Sequence, residues 1–173
     1  FMEYYILAEG QLWDRIFDVL KRRAAAGVEV HIIFDDFGAM TRLSDGMLRS
    51  MREAGIEVEG FNPVHRYISR IYFNYRDHRK ITVIDGHIAY TGGINFADEY
   101  IGEEIRFGDW KDNVLRLTGE ATRSMTLLFL EMWNACRPTD TAASAAAFMP
   151  DPARMEGIRS EGYVQPYGDS PVD

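Results

Sequence analysis

His78 and Lys80 are the residues whose types and spacing point most directly to chemistry in this 173-residue chain. Residues two apart on a β-strand project from the same face, so a strand over 76–84 would place an imidazole beside an ammonium. An imidazole can attack phosphorus, and an ammonium can stabilise the negative charge that develops on phosphoryl oxygens. An isolated H-x-K triplet is more often an ordinary polar stretch of an edge strand, so the neighbouring residues must decide.

The residues before Lys80 concentrate positive charge within an acidic chain of net charge -8. Between positions 65 and 80 a single acidic residue, Asp77, is set against Arg66, Arg70, Arg76, Arg79 and Lys80. Such a local positive segment suits a phosphate site. For Arg66 and Arg70 we favour the simpler interpretation of a basic surface loop.

A glycine pair and an asparagine follow in Gly92-Gly93-Ile94-Asn95. Glycines let the backbone approach a ligand closely, and the Asn95 amide can donate to a phosphoryl oxygen. If a helix begins near Asn95, its free N–H groups add to the anion site. A plain strand-to-helix turn capped by Asn95 is an equal alternative on spacing alone.

Two aspartates are candidates for different roles. Asp85 lies seven residues after His78, off its strand face, and sits in an Asp-Gly turn, so we expect chiefly a structural role. Asp112 is the better candidate for orienting the His78 imidazole, since a carboxylate on one ring nitrogen fixes the tautomer. No His/Cys/Asp/Glu spacing resembles a metal site, so we expect chemistry without a metal or cofactor.

The elements that must position these residues alternate between strand and helix, which predicts an α/β fold with a mixed sheet and helices on both faces. A hairpin is expected around Asp85-Gly86, and Ser44 is expected to cap a helix ending near Gly55. The predicted strands cover 2–8, 28–34, 56–61, 79–91 (as the hairpin) and 113–117, and the other predicted helices cover 11–26 and 120–136.

Composition narrows the function classes. The negative charge disfavours general binding of nucleic acid, and no apolar run reaches the ~18 residues of a membrane span. The single Cys136 fits a reducing compartment. We expect both ends to be cuts in a longer protein, with a domain over 1–137, a linker over 138–161 and the start of a second unit over 162–173.

The string His78-x-Lys80-(x)4-Asp85-(x)6-Gly92-Gly93-x-Asn95 resembles the HKD motif of the phospholipase D superfamily. Position 93 is Gly where Ser is commoner, so a phosphate contact there must come from backbone N–H. The stretch 1–137 is similar to the first phospholipase-D half of bacterial cardiolipin synthases, and 162–172 is similar to the lead into the second half. The segments that carry this similarity are Met2-Glu3-Tyr4-Tyr5-Ile6, Gly27-Val28-Glu29-Val30, Asp35-Asp36-Phe37-Gly38, Ala54-Gly55-Ile56, Phe61-Asn62-Pro63, Asn74-Tyr75-Arg76-Asp77-His78-Arg79-Lys80, Asp98-Glu99-Tyr100 and Phe129-Leu130-Glu131-Met132-Trp133.

The resemblance implies a mechanism through a phosphohistidine. The histidine of one half attacks phosphatidylglycerol, an anionic phospholipid, and the histidine of the other half protonates the leaving alcohol and then deprotonates a second phosphatidylglycerol. His78 would be one of these two histidines, and Lys80 and Asn95 would stabilise the phosphorane. The resemblance also implies a parent protein in the bacterial cytoplasmic membrane, held by segments outside this stretch, which would itself be soluble.

Two other interpretations remain open. A single-motif phosphodiesterase or endonuclease would pair two His78 side chains across a homodimer, although the low basicity disfavours it. A non-catalytic lipid- or partner-binding module is disfavoured because all key residues of the motif are present.

Overall fold

A mixed six-stranded sheet with the order β3-β2-β1-β4-β5-β6 forms the centre of the domain in a computed structural model. The structure describes residues 1–64, 74–106, 108–137, 145–159 and 162–168. The strands are β1 (Met2–Tyr4), β2 (His31–Asp35), β3 (Glu57–Phe61), β4 (Lys80–Ile84), β5 (Ile88–Gly92) and β6 (Val114–Thr118). The helices are α1 (Gln11–Ala25), α2 (Asp36–Ala39), α3 (Asp45–Glu53) and α4 (Ala121–Cys136).

The strand directions bring several chain ends to one edge of the sheet. β1, β2 and β3 run parallel, whereas β4, β5 and β6 form antiparallel pairs. β1 connects the parallel part of the sheet to the antiparallel part by pairing antiparallel with β4, so that Tyr4 lies opposite Lys80. The carboxyl ends of β1, β2 and β5 and the amino end of β4 therefore share an edge, called here the upper edge.

Helices cover both faces of the sheet, as the sequence predicted. Strand alternation in β2 sends Ile32 and Phe34 to one face and Ile33 to the other. The first face packs against α1 and α3, with a core that includes Met2, Tyr4, Trp13, Ile32, Phe34, Met51 and Val58. The second face packs against α4, with Ile33, Phe61, Phe129, Leu130 and Trp133, and with Ile81, Val83, Ala89 and Met125 beside them.

Element boundaries follow the predictions within a few residues, with two informative differences. The first strand ends at Tyr4 rather than near residue 8, although Leu7 still bridges to Phe96. The anion site that depended on a helix beginning near Asn95 is absent from this segment, because the structure has only a 3-10 turn over Asp98–Ile101. None of the helices in the described part of the chain combines the length and apolar character needed to cross a membrane.

The predicted linker contributes to the core where the structure describes it. The Phe148 ring lies 4.9 Å from the Phe1 ring, and Met149 packs against the same cluster beside α4. Residues 138–144 and 160–161 lie outside the described residues, as do 169–173 of the predicted second unit. The domain boundary near residue 137 stays a prediction.

Replacing Ser44 with Ala should lower the free energy of unfolding by about 1 kcal/mol, the usual cost of losing an N-cap. Ser44 Oγ accepts the Met47 N–H at 3.1 Å at the start of α3, as the sequence predicted. Urea unfolding of the chain would measure the change. Ser50→Ala, at an exposed position within the same helix, is the matched control and should leave the unfolding midpoint unchanged or slightly raised.

Candidate active site

His78 lies at the upper edge, two residues before β4 begins, rather than inside the strand as the alternation argument assumed. Its backbone is held on both sides. The Asp77 N–H donates to Asp35 Oδ2 at 2.9 Å, and Lys80 Nζ donates to the His78 carbonyl oxygen at 2.6 Å. The imidazole packs against the Tyr5 ring with 4.8 Å between centroids. The turn over 77–80 thus presents an accessible imidazole from a fixed backbone.

The electrostatic surroundings favour a neutral imidazole. Partial burial and then the Lys80 ammonium lower the pKa of His78 below its ordinary 6.5, against the opposing charges of Asp77 and Asp35. A neutral imidazole keeps a lone pair for attack or for accepting a proton. His78 is therefore suited to nucleophilic or general-base chemistry at neutral pH.

Lys80 is buried at the first position of β4, with 5% of its surface exposed. Burial lowers the pKa of Lys80 to about 8, against the opposing charges of Asp77 and Asp112. Its ammonium also lies 5.5 Å from the centre of the Tyr5 ring. A desolvated ammonium acts on a nearby anion more strongly than a hydrated one, because the dielectric screening is weaker.

Asn95 is buried and tied to two other segments of the upper edge. Its Oδ1 accepts the Ile6 N–H at 3.0 Å, and its Nδ2 donates to the Tyr100 hydroxyl at 2.8 Å. An amide nitrogen carries two hydrogens, so one remains for another acceptor. The predicted contact with a phosphoryl oxygen stays a prediction, while these hydrogen bonds give Asn95 a positioning role.

Gly93 and Asp112 lie against each other. A methyl group on Gly93 would come within 2.3 Å of Asp112 Oδ1, and that oxygen also accepts the Asn113 N–H at 2.7 Å. The Asp112 charge acts on Lys80, whereas the carboxylates that act on His78 are Asp77 and Asp35. The predicted orientation of His78 by Asp112 stays a prediction.

In the longer protein expected to contain this chain, Gly93→Ala should lower kcat by about tenfold, because the added methyl must displace the Asp112 carboxylate and small displacements at a site are costly. The double variant Gly93→Ala with Asp112→Ala should be no worse than Asp112→Ala alone, as measured by initial rates. A double variant far below Asp112→Ala would instead assign Gly93 to close backbone contact with the substrate. Gly162→Ala, where a methyl meets nothing within 4 Å, is the control.

Asp85 lies at the opposite end of β4 from Lys80, about 16 Å away for a strand of this length. It begins the hairpin turn with a left-handed φ of 51°, followed by Gly86 with φ 69°. Asp tolerates this conformation better than most residues. The location agrees with the structural role expected for Asp85 and separates it from the other residues of the motif.

Asp35 is the residue of this edge that sequence reasoning missed. It is fully buried at the end of β2, and its Oδ1 accepts the N–H groups of Phe37 and Gly38 at 3.0 Å each. Arg76 and the Asp77 N–H bind the same carboxylate. The signal in the sequence was an aspartate directly after the predicted strand over 28–34 and before Asp36-Phe37-Gly38.

The described residues contain no group of three or more His, Cys, Asp or Glu side chains placed to hold a metal ion. Among the described residues near His78, the positive charges are those of Arg76, Arg79 and Lys80. Lys80 has the smallest exposed fraction of the three. Arg66 and Arg70, expected to belong to a basic surface loop, lie outside the described residues.

Residues 2–113 match the family model described as cardiolipin synthase, phospholipase D-like domain. The chain belongs to this family. The resemblance expected from the HKD string is thus confirmed, and the mixed sheet flanked by helices is the family's architecture here.

The curated relatives are much longer than this chain. A cardiolipin synthase of Oceanobacillus iheyensis is 41% identical over 133 residues, which are 77% of this chain and 27% of that protein. One from Halalkalibacterium halodurans is 34% identical over 98% of this chain and 33% of its own length. An uncharacterized Streptococcus mutans protein is 42% identical over the whole chain and 36% of its length. The chain therefore spans about a third of such proteins.

Two solved structures share the fold at low sequence identity. Nuc of Salmonella typhimurium, a phospholipase D family member, aligns with a TM-score of 0.54 and 18% identity over 79% of this chain and 78% of its own. NucT of Helicobacter pylori aligns with a TM-score of 0.55 and 17% identity over 78% of each chain. At these identities the likeness supports the fold alone.

Proposed function

We propose that this chain is one catalytic half of a phosphatidyltransferase that makes cardiolipin from two phosphatidylglycerol molecules. The observation that carries the proposal is a neutral, accessible imidazole at His78 beside the buried ammonium of Lys80, on a turn with a fixed backbone. The kinship with cardiolipin synthases supports a phospholipid as substrate.

The reaction proceeds in two displacements at phosphorus. His78, or its counterpart in the other half, attacks the phosphodiester, so that a phosphorus–nitrogen bond forms and the bond to glycerol breaks. The second histidine gives a proton to the departing alkoxide. A hydroxyl of another phosphatidylglycerol then loses its proton to that histidine and attacks phosphorus, which releases the first histidine. Lys80 stabilises the charge on the phosphoryl oxygens in both steps.

The second histidine must come from outside the motif found here, because the chain carries one HxK(x)4D string. We propose the second half of a longer protein as its source, with a homodimer mate as the alternative. The lengths of the curated relatives support the longer protein, since this chain spans about a third of them. The substrate places the parent at the bacterial cytoplasmic membrane in this proposal.

The test compares the isolated chain with the longer protein that contains it, using phosphatidylglycerol vesicles and, separately, linear DNA. The longer protein should release glycerol and form cardiolipin in equal amounts, and the isolated chain should form neither product. Cleavage of DNA without a lipid product would overturn the proposal in favour of the endonuclease interpretation. Transfer by the isolated chain as a symmetric dimer would overturn the two-half arrangement while leaving the chemistry in place.

A further inference from the structure

A cluster of two acids and one base lies buried beneath His78, on the α4 face of the sheet. Glu3 of β1 is 0% exposed and Asp77 is 4% exposed. Arg79 Nε lies 2.7 Å from Glu3 Oε1 and 3.2 Å from Asp77 Oδ1. The two carboxylates therefore meet at the same nitrogen atom of a single guanidinium group.

When both acids are ionised, this cluster has more buried acceptor oxygens than donors that reach them. The single N–H on Arg79 Nε donates to Asp77 Oδ1. Three acceptors of the cluster, both Glu3 oxygens and Asp77 Oδ2, are buried with no hydrogen-bond partner among the residues that the structure describes, and so is one donor, Arg79 Nη2. Two carboxylates and one guanidinium also leave a net charge of about -1 in the interior, which is costly. One added proton, placed between the acids, neutralises these three side chains and supplies a donor between the two carboxylates, which both lie at Arg79 Nε.

We propose that Glu3 is a positioning residue that shares one proton with Asp77, and that this pair, clamped by Arg79, fixes the turn carrying His78. The proton resides mainly on Glu3, which donates to the Asp77 carboxylate. Burial, followed by the charge of Asp77, raises the pKa of Glu3 well above its ordinary value. The proposal concerns the placement of His78 and rests on the proposed function only for its effect on turnover.

The connection to His78 runs through the Asp77 side chain. Asp77 Oδ1 also accepts the backbone N–H of Arg79 at 3.2 Å, and this hydrogen bond links the residues on either side of His78. The Asp77 N–H is anchored to Asp35 on the other side. A second, ionised carboxylate at Glu3 would repel Asp77 and compete for Arg79, which would loosen the turn from beneath.

The other charges around the cluster are of both signs, and the Lys80 ammonium interacts with Asp77. Glu131 of α4 acts on Arg79, while Glu59 of β3, together with Asp77 and Glu3, acts on the Cys136 thiol, whose pKa burial raises to about 12. Arg137 pairs with Glu57 and Glu59 on β3. Because Lys80 favours an ionised Asp77, Glu3 is the acid of the pair that carries the shared proton.

The first test is the pH dependence of stability for Glu3→Gln, which mimics the protonated acid. A carboxyl group whose pKa is raised in the folded state stabilises that state less and less as pH rises above its unfolded pKa near 4.5. The urea midpoint of the parent chain should therefore fall relative to that of Glu3→Gln between pH 5 and pH 9. Glu53→Gln, an exposed change on α3, should track the parent chain.

The second test reads the position of His78 directly by NMR titration of its imidazole in the isolated chain. Glu3→Gln should leave the His78 titration midpoint within about 0.3 unit of the parent. Glu3→Ala should shift it by more, because loss of the side chain loosens the turn and changes the burial of the imidazole. In the longer protein, kcat should fall by about tenfold or more for Glu3→Ala, with KM nearly unchanged, and recover in Glu3→Gln.

Two results would overturn the proposal. One is a pH dependence of stability in Glu3→Gln that matches the parent chain. The other is an unchanged His78 titration in a folded Glu3→Ala variant. Neither measurement needs a substrate, so failure of the proposed phosphatidyl transfer would leave both results interpretable.

Discussion

Replacing His78 with Gln will abolish phosphatidyl transfer by the longer protein, with a fall in kcat of about 10⁴-fold or more. Losses of this size follow when a group that forms the covalent intermediate, or moves its protons, is removed. Gln occupies similar volume but has no basic nitrogen, and the backbone contacts at 77–80 do not involve the imidazole. Initial rates of cardiolipin formation measure the loss, and thermal unfolding verifies that the variant is folded.

The identity of the nucleophile can be decided in the same experiment. Brief reaction with radiolabelled phosphatidylglycerol, followed by alkaline quenching and peptide mapping, should trap a phosphohistidine that is stable to base. Label on the peptide containing His78 assigns the nucleophile to this half, and label elsewhere assigns His78 to acid–base catalysis. His87→Gln, beyond the hairpin turn at the other end of β4, should retain parental activity. Full activity of His78→Gln would refute the proposed site.

Replacing Lys80 with Met will lower kcat by about 10²- to 10³-fold, the range seen when one stabilising contact to a developing anion is removed. The buried ammonium has a pKa of about 8, and its charged form is the active one. Parental activity should therefore decline as pH rises through about 8. Lys80→Arg should move this decline to higher pH, since a guanidinium stays charged throughout the range.

A companion measurement separates charge from packing at Lys80. The Lys80 ammonium lowers the pKa of His78, so Lys80→Met should raise the midpoint of the His78 titration in the isolated chain. Lys21→Met, on an exposed stretch of α1, is the control for removing a lysine. If the alkaline decline persisted unchanged in Lys80→Arg, it would belong to another group, and the electrostatic role given to Lys80 would be wrong.

Local sequence signals were enough to predict most of the fold. The Ser44 cap and the Asp85-Gly86 turn depend on hydrogen bonds and backbone angles of adjacent residues, and the structure confirms both. Strand and helix alternation depends on periodicity within short windows. The mixed sheet follows from that alternation, together with a hairpin.

The buried residues that hold the turn at His78 could not be predicted from local sequence signals. Asp35 meets Asp77 across 42 positions of sequence, and Glu3 meets Arg79 across the strand pairing of β1 with β4. No local pattern specifies such partners, because they depend on which strands become neighbours. Alternation also assumed that His78 belonged to the strand, whereas β4 begins at Lys80, whose side chain turns back to the His78 carbonyl.

The separation of Asp85 from His78 and Lys80 means that one signature combines two independent selective constraints. In the proposed function the reaction requires His78 and Lys80, while Asp85 and Gly86 are required by the left-handed backbone angles at the far end of the strand. A descendant that had lost catalysis would be free to change the first pair, yet would still need residues that tolerate the turn. In the proposed function, Asp85 would therefore reflect the hairpin turn, and His78 and Lys80 at the other end of the strand would reflect catalysis.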